Sequence, residues 1–505
     1  MLLVRLSPAK LVSLRHAVQG YRIARGLSTS ASSFGGLSVA LNPSTASKEQ
    51  VADAVGRSLR ASGGPAVAAV VLASGGLASW LQDEAFMSRL LSPLASGSAS
   101  LNVLSVAVHG IPRRRHGPGP PFSSSEGLAV LHGSLDGLLP GLWSVSAADA
   151  HQATGDASCQ PSLEFHTAPF DGDARPLQVT VPLANTIFSN GRQHTMFASR
   201  WHTASGGAAL PQIAGVVEKM TQSILVPRAL GAGAGSATST VAVPLVPVTE
   251  ARRIAAGLGN ILRQVEIGVT PMPASKELES VIPKLLDARS KQLGDQAAGP
   301  VGVWALIYPE NFVADADFPR PLELSGAGQS HEWSRAQEVS DLMPRLLAAG
   351  CHIRKILSGG GGWGLKQGLL SLDPQTRHAT PDQEDIENFI RSFHGDESGG
   401  AIVTPGSFVQ FLVEPAGSPP AGEVGQGSQA ESNDTGPLEI VVGTQDQVAD
   451  SLAGPDHIEV GVNLFGAISS EGVYVISQPG AGQGSGRPAI TTKIDASNSY
   501  VVSSP

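Results

Sequence analysis

Buried strands alternating with amphipathic helices place this 505-residue chain between the α/β and α+β classes, with mixed sheets layered against helices in two domains. Three observations carry that expectation. Residues 66–72 and 101–108 are nearly unbroken apolar runs, the pattern of strands covered on both faces. Helical apolar spacing precedes and separates them, at Val51, Val55 and Leu59 and again over residues 78–92. Farther on, strand signals dominate, beginning with the clean alternation of residues 177–181.

Taken in order, Ser47 and Gln50 frame a capping box that opens a helix ending near Arg60. Ser74-Gly75-Gly76 turns the first buried strand into the second helix, and short strands follow at 128–131 and 142–145. Ile187-Phe188 and residues 195–198 flank Ser189-Asn190-Gly191, which predicts a hairpin. Ile254, Leu258, Ile261 and Leu262 share one side of a helix expected over 250–264. A helix over 274–292 follows, with Pro283 a problem for its middle. Next come a strand at 301–307, a helix at 333–349 stopped by Gly350, a strand at 352–357 and a proline-capped helix at 380–395. Strands at 408–413, 438–442 and 472–476 complete the set. The expected organisation is a leader at 1–27, a linker at 28–44, a first domain at 45–230, a Gly/Ala/Ser/Thr linker at 231–240 and a second domain at 241–478. A disordered insertion at 415–436 and a flexible tail at 479–505 are also expected.

No aspartate or glutamate occurs before Glu49, whereas Arg5, Lys10, Arg15, Arg22 and Arg25 are interleaved with leucines and serines. A basic, amphipathic, acid-free leader predicts a mitochondrial presequence and a matrix address, with cleavage near Ser28. The leader holds five of the 34 Lys and Arg and none of the 43 Asp and Glu, so the remainder keeps 29 cations and a net charge of −14. So acidic a body argues against nucleic-acid binding, which needs a phosphate-neutralising surface. No apolar stretch is long enough to span a bilayer, which leaves peripheral membrane contact open. With only Cys159 and Cys351, no multi-cysteine metal cluster can form within the chain, and free thiols are expected.

Residues 66–74, then 104–110 ending in His109-Gly110, then 126–133, closed by Leu139-Pro140-Gly141, follow one order. It is a buried strand, a helix, a strand ending in glycine, a loop, and a short strand before a leucine-proline-glycine turn. This order resembles the N-terminal part of a FIST domain, over about a fifth of the chain. The resemblance implies a sensory or ligand-binding module. Pro112-Arg113-Arg114-Arg115 departs from the small residues that often follow the family's glycine. Residues 182–188 and 359–373 resemble segments of uncharacterised fungal mitochondrial proteins, which implies relatives but no activity.

The sharpest local feature is Gly359, Gly360, Gly361, Gly362 and Trp363, followed by Lys366 and Gly368, directly after the strand at 352–357. Consecutive glycine amides can cradle an anion, Lys366 adds charge and Trp363 a stacking face. The spacing matches neither a Walker A loop nor a dinucleotide fingerprint. The plainer alternative is a surface loop, or Trp363 packed as a plug over a core. Arg113 and Arg114 lie just past the carboxyl end of a buried strand, where open α/β sheets bind ligands, and they could clamp an anion; a solvated loop is the alternative. His194 and His202 are too far apart on a straight strand to share a metal, and read as one polar hairpin face. Asp315 with Asp317 is a weak divalent-metal pair, and Cys351 beside His352 reads as buried and structural.

No cofactor is identifiable, and no triad, metal cluster or nucleotide motif is present. The leading expectation is therefore a soluble mitochondrial module that binds a small anionic ligand or a protein partner, with a sensory or regulatory role. The alternatives are an enzyme that holds an anionic substrate at residues 359–368, with His352 or Asp373 as acid or base, and an assembly or gene-expression factor at the inner membrane.

Overall fold

The computed structural model describes residues 34–62, 66–95, 99–115, 120–144, 160–170, 176–202, 211–226, 238–293, 301–310, 312, 318–323, 329–359, 368–378, 402–417, 436–446, 458–477 and 490–504. The expected presequence, residues 360–367, the Asp315/Asp317 pair, Cys159, the 380–395 helix and most of the expected insertion lie outside them.

From the N-terminus, strand β1 (Gly35–Leu41) leads to helix α1 (Lys48–Ser62) and β2 (Ala68–Ser74). A 3-10 helix (Gly75–Gln82) precedes α2 (Glu84–Ala95), β3 (Ser100–Val108), β4 (Ile111–Arg114), β5 (Phe122–Ser125), β6 (Gly127–Gly133) and the single turn α3 (Leu135–Leu138). The capping box forms as expected: the Ser47 amide donates to Gln50 Oε1 and the Gln50 amide to Ser47 Oγ, both at 3.2 Å. Next come β7 (Ser162–Thr167), β8 (Leu177–Pro182), the turn α4 (Ile187–Asn190), β9 (Met196–His202), β10 (Gln212–Glu218) and β11 (Thr221–Leu225).

The second half contributes β12 (Thr238–Ala242), β13 (Val246–Pro247), β14 (Arg252–Leu258), β15 (Ile261–Ile267), β16 (Thr270–Pro273), α5 (Lys276–Leu293), β17 (Val303–Tyr308), α6 (Gln329–Ala348), β18 (His352–Gly359), β19 (Leu370–Leu372) and β20 (Phe408–Val413). It ends with β21 (Glu439–Thr444), β22 (Ile458–Val462), β23 (Leu464–Ser469), β24 (Val473–Ser477), β25 (Thr491–Ile494) and β26 (Ser499–Ser504).

The architecture is α+β. The first sheet runs β10-β9-β3-β2-β6-β1-β22, with β2 and β3 its parallel pair. Its central strands β2 and β6 are buried at every position, and β3 at all but Ser100, because both faces are covered. Val70 and Leu72 enter one core, while Ala69, Val71 and Ala73 enter another with Val51, Val55 and Leu59 of α1 and Leu90 of α2. Two further sheets run β11-β7-β8-β24-β25 and β12-β26-β21-β23. Strands β14, β20, β17, β18, β19 and β15 pair in a closed antiparallel ring, a six-stranded barrel packed around Ile254, Leu262, Ile307, Val409 and Phe411.

Several expectations are corrected. The 250–264 segment is a hairpin, not a helix. The turn Gly259-Asn260, with Gly259 at φ +59°, divides the apolar residues between β14 and β15, and Leu258 pairs with Ile261. Asn190-Gly191 closes no hairpin. Gly191, at φ +74°, caps α4 in the left-handed conformation, and β9 pairs instead with β3 and β10. Residues 142–144 form a turn rather than a strand, with Trp143 Nε1 donating to Asn102 Oδ1 at 3.0 Å. Helix α5 runs through Pro283, which faces solvent, so water can satisfy the carbonyl that proline leaves unbonded.

The expected linker at 28–44 contains the fully buried β1, and the one at 231–240 runs into β12. The expected tail holds β25 and β26, which complete two of the sheets. Ser33–Pro505 is one compact unit: β22 pairs with β1 and β24 with β8, so C-terminal strands close sheets begun near the N-terminus.

Candidate functional site

The described residues among those singled out in sequence lie on separate elements. Gly359 ends β18, opposite Leu370 of β19, so residues 360–367 connect the two strands of a barrel hairpin. Gly360, Gly361, Gly362, Trp363 and Lys366 fall in that connection, outside the described residues. Arg113 and Arg114 lie on β4, and both are engaged by carboxylates of the chain itself. Arg113 Nη2 is 2.6 Å from Glu459 Oε2. Arg114 Nη2 donates to Glu439 Oε2 at 2.8 Å and to the Asn463 carbonyl at 3.1 Å, and its Nη1 to the Val462 carbonyl at 2.9 Å. These arginines staple the β4–β5 ribbon to the C-terminal strands, and an incoming anion would have to displace a glutamate.

Nor does the barrel supply the expected acid or base. Burial pushes the His352 imidazole down to about 3, and Arg354 adds to the shift. Asp373 is paired with Lys493 at 3.0 Å. Burial pushes the Cys351 thiol up to about 12, which removes it as a nucleophile at neutral pH. His202 ends β9, whereas His194 lies two residues before its start.

A different cluster forms where the parallel strands end. Ser74 and Val108 are in register at the carboxyl ends of β2 and β3, and His109 follows directly. The Ala107 amide donates to the Thr195 carbonyl at 2.8 Å, which brings His194 beside the end of β3. Gly110 and Ile468 exchange backbone hydrogen bonds of 3.1 and 2.9 Å, which set the β23–β24 turn and its Glu471 over the same place. Glu471 Oε1 lies 3.7 Å from His109 Nε2, an electrostatic contact too long for a good hydrogen bond. His378 approaches from the segment after β19. Its Nε2 lies 3.2 Å from the Pro161 carbonyl, and its ring is 5.6 Å from that of Tyr474.

The electrostatics follow from burial and charge. His109, then His378 and His194, hold the Glu471 carboxyl below its ordinary value. Burial pushes both His194 and His378 down, so the folded protein favours their neutral forms. The Nδ1 atoms of His109 and His194 are buried and have no hydrogen-bond partner of good geometry among the described residues, although the Ala184 backbone interacts with the His194 ring and opposes part of its shift. Tyr474, beside His378, donates its hydroxyl to Gln375 Oε1 at 3.0 Å, which also accepts from Lys493 Nζ at 3.0 Å. This second row of side chains fixes the floor under His378.

Three imidazoles around a carboxylate that is 63% exposed can exchange protons and hydrogen-bond a polar ligand. Among the described residues no group of three His, Cys, Asp or Glu has the geometry to hold a metal ion. In sequence nothing links the members. His109 and His194 were visible only as local oddities, and no pattern marked His378 or Glu471. No known family, curated protein or solved structure matches the chain.

Proposed function

We propose that this protein is a ligand-binding module, sensory or regulatory rather than catalytic, that takes a small anionic molecule at His109, His194 and His378. The observation that carries the proposal is a pair of buried imidazole nitrogens, His109 Nδ1 and His194 Nδ1, without a hydrogen-bond partner of good geometry among the described residues. Buried polar atoms without partners are rare, and at the carboxyl edge of a parallel strand pair a ligand is a natural partner. An anion favours imidazolium, so binding takes up protons and strengthens as pH falls from 7 towards 6. The FIST-like order of elements in residues 45–150 and the acid-free leader support a sensory module working in the mitochondrial matrix.

The test is a thermal-shift screen of the chain against carboxylates, phosphates and nucleotides, repeated with His109→Ala and His194→Ala. A specific binder raises the melting temperature of the parent with a dependence on ligand concentration, and fails to do so in both variants. If no anion shifts the parent, or if the variants respond equally, the site is not where ligand binds. A reporter fused to residues 1–40 tests the address, and a cytosolic signal removes it.

A further inference from the structure

Glu471 stands among His109, His194 and His378, yet it carries the same sign of charge as the ligand those imidazoles would take. Its carboxylate lies 3.7 Å from His109 Nε2, and the fields of all three imidazoles converge on it. The reverse also holds, because Glu471 acts on both His194 and His378. Its situation differs from that of the glutamates that occupy Arg113 and Arg114. Those are 35% and 30% exposed and lie 2.6 and 2.8 Å from their arginines. Glu471 is 63% exposed, and the 3.7 Å contact is its one ion pair among the described residues.

The backbone beneath it is fixed. The turn between β23 and β24 passes through Gly472 at φ +90°, where a Cβ would come 3.0 Å from Asp495 Cβ and 3.1 Å from the Ile494 carbonyl. The turn therefore lies close against the end of β25. The Glu471 amide donates to Ser469 Oγ at 3.1 Å. A loosely held side chain on a fixed backbone keeps its charge beside the imidazoles while yielding its place to a ligand. Little neighbouring charge offsets it. Burial pushes His194 and His378 towards their neutral forms, and Lys493, whose field reaches His378, is paired with Asp373 at 3.0 Å. Repulsion from Glu471 grows in proportion to the negative charge that a ligand brings.

We propose that Glu471 sets the charge of the ligand this site accepts: a small monoanion, of the monocarboxylate class, enters, and a dianion of the same size is rejected. The inference rests on the anion-binding reading above and names the class of anion. The imidazoles supply hydrogen bonds to one anionic group, and a second negative charge meets Glu471 instead of a cation. Discrimination of this kind needs a repulsive element as well as an attractive one.

Isothermal titration calorimetry of the full chain with succinamate and with succinate, at about pH 7.5 where the carboxyl groups of both probes are ionised, tests it. The two probes differ by one charge at nearly constant size, as do the side chains exchanged in Glu471→Gln. The parent binds succinamate about tenfold more tightly than succinate, the scale of a unit repulsion a few ångströms away in a partly hydrated site. Glu471→Gln removes that preference by raising the affinity for succinate more than that for succinamate, and far-UV circular dichroism confirms that the variant folds. A parent that binds succinate as tightly as succinamate overturns the proposal and leaves the anion site standing. A glutamine variant that keeps the tenfold preference overturns it equally. If neither probe binds the parent, the anion-binding reading itself fails, and this inference falls with it.

Discussion

Truncating Glu332 to alanine should be among the most damaging single changes to this fold. Helix α6 carries Glu332 and α5 carries Arg289, with side chains 0% and 7% exposed. The carboxylate accepts from Arg289 Nε at 3.2 Å, from Arg289 Nη2 at 2.8 Å and from the Ala416 amide at 2.8 Å. Without it the guanidinium stays buried beside the Glu414 carbonyl, 2.6 Å from Nη2, with no countercharge. Breaking a buried pair by removing one partner costs about 3–5 kcal/mol, a large fraction of a net stability of about 5–15 kcal/mol. Removing both charges, as in Arg289→Met with Glu332→Leu, should return stability to within about 1 kcal/mol of the parent or above it. Urea unfolding followed by circular dichroism gives each value, and the parent, Arg289→Met, Glu332→Leu and the double variant form a double-mutant cycle with an expected coupling above about 2 kcal/mol. A Glu332→Ala loss below about 1 kcal/mol, or a double variant as unstable as the single, would refute the claim that the cost comes from an abandoned buried charge.

Stability should also fall as the solution is acidified, through histidines held neutral. His352 titrates near 3 when folded and near its ordinary 6.5 when unfolded, so the unfolded chain takes up its proton first. Its contribution is complete above pH 6.5 and is lost towards pH 3, at up to about 1.4 kcal/mol per pH unit. His194 and His378 act in the same direction, and urea midpoints for His352→Leu should show a shallower slope than the parent; equal slopes would exclude His352 as the source. Cys351, 2% exposed and with its thiol pushed up to about 12, should resist alkylation in the native protein and react on unfolding. Peptide mapping after iodoacetamide treatment decides it, and rapid native labelling would contradict the burial.

Much of the fold was legible because local physics wrote it. The Ser47–Gln50 capping box and the runs that became β2 and β3 depend on residues only a few positions apart. Where two local signals competed, the turn prevailed over the period. Ile254 and Ile261 fit a helix by spacing, but Gly259 placed them on two strands. Asn190-Gly191 had the composition of a hairpin turn and became a helix cap, because β9 found longer partners in β3 and β10.

The site was far less legible. Arg113 and Arg114 stood out as a possible anion clamp, yet Glu459 and Glu439, more than three hundred residues onward, occupy them. His109 and His194 meet only because β9 runs antiparallel beside β3, and Glu471 joins them through the bridge between Gly110 and Ile468.

By itself the sequence determined the α+β layering, the doubly covered central strands, the acidic body and the lack of any helix among the described residues able to cross a membrane. Those properties follow from composition and from patterns a few residues long. The tertiary structure alone decided that β22, β24, β25 and β26 complete sheets begun elsewhere, that six strands close a barrel, and that His109, His194, His378 and Glu471 share one place. Strand pairing is chosen by burial and hydrogen-bond satisfaction across the whole chain, and a short window of sequence holds neither partner.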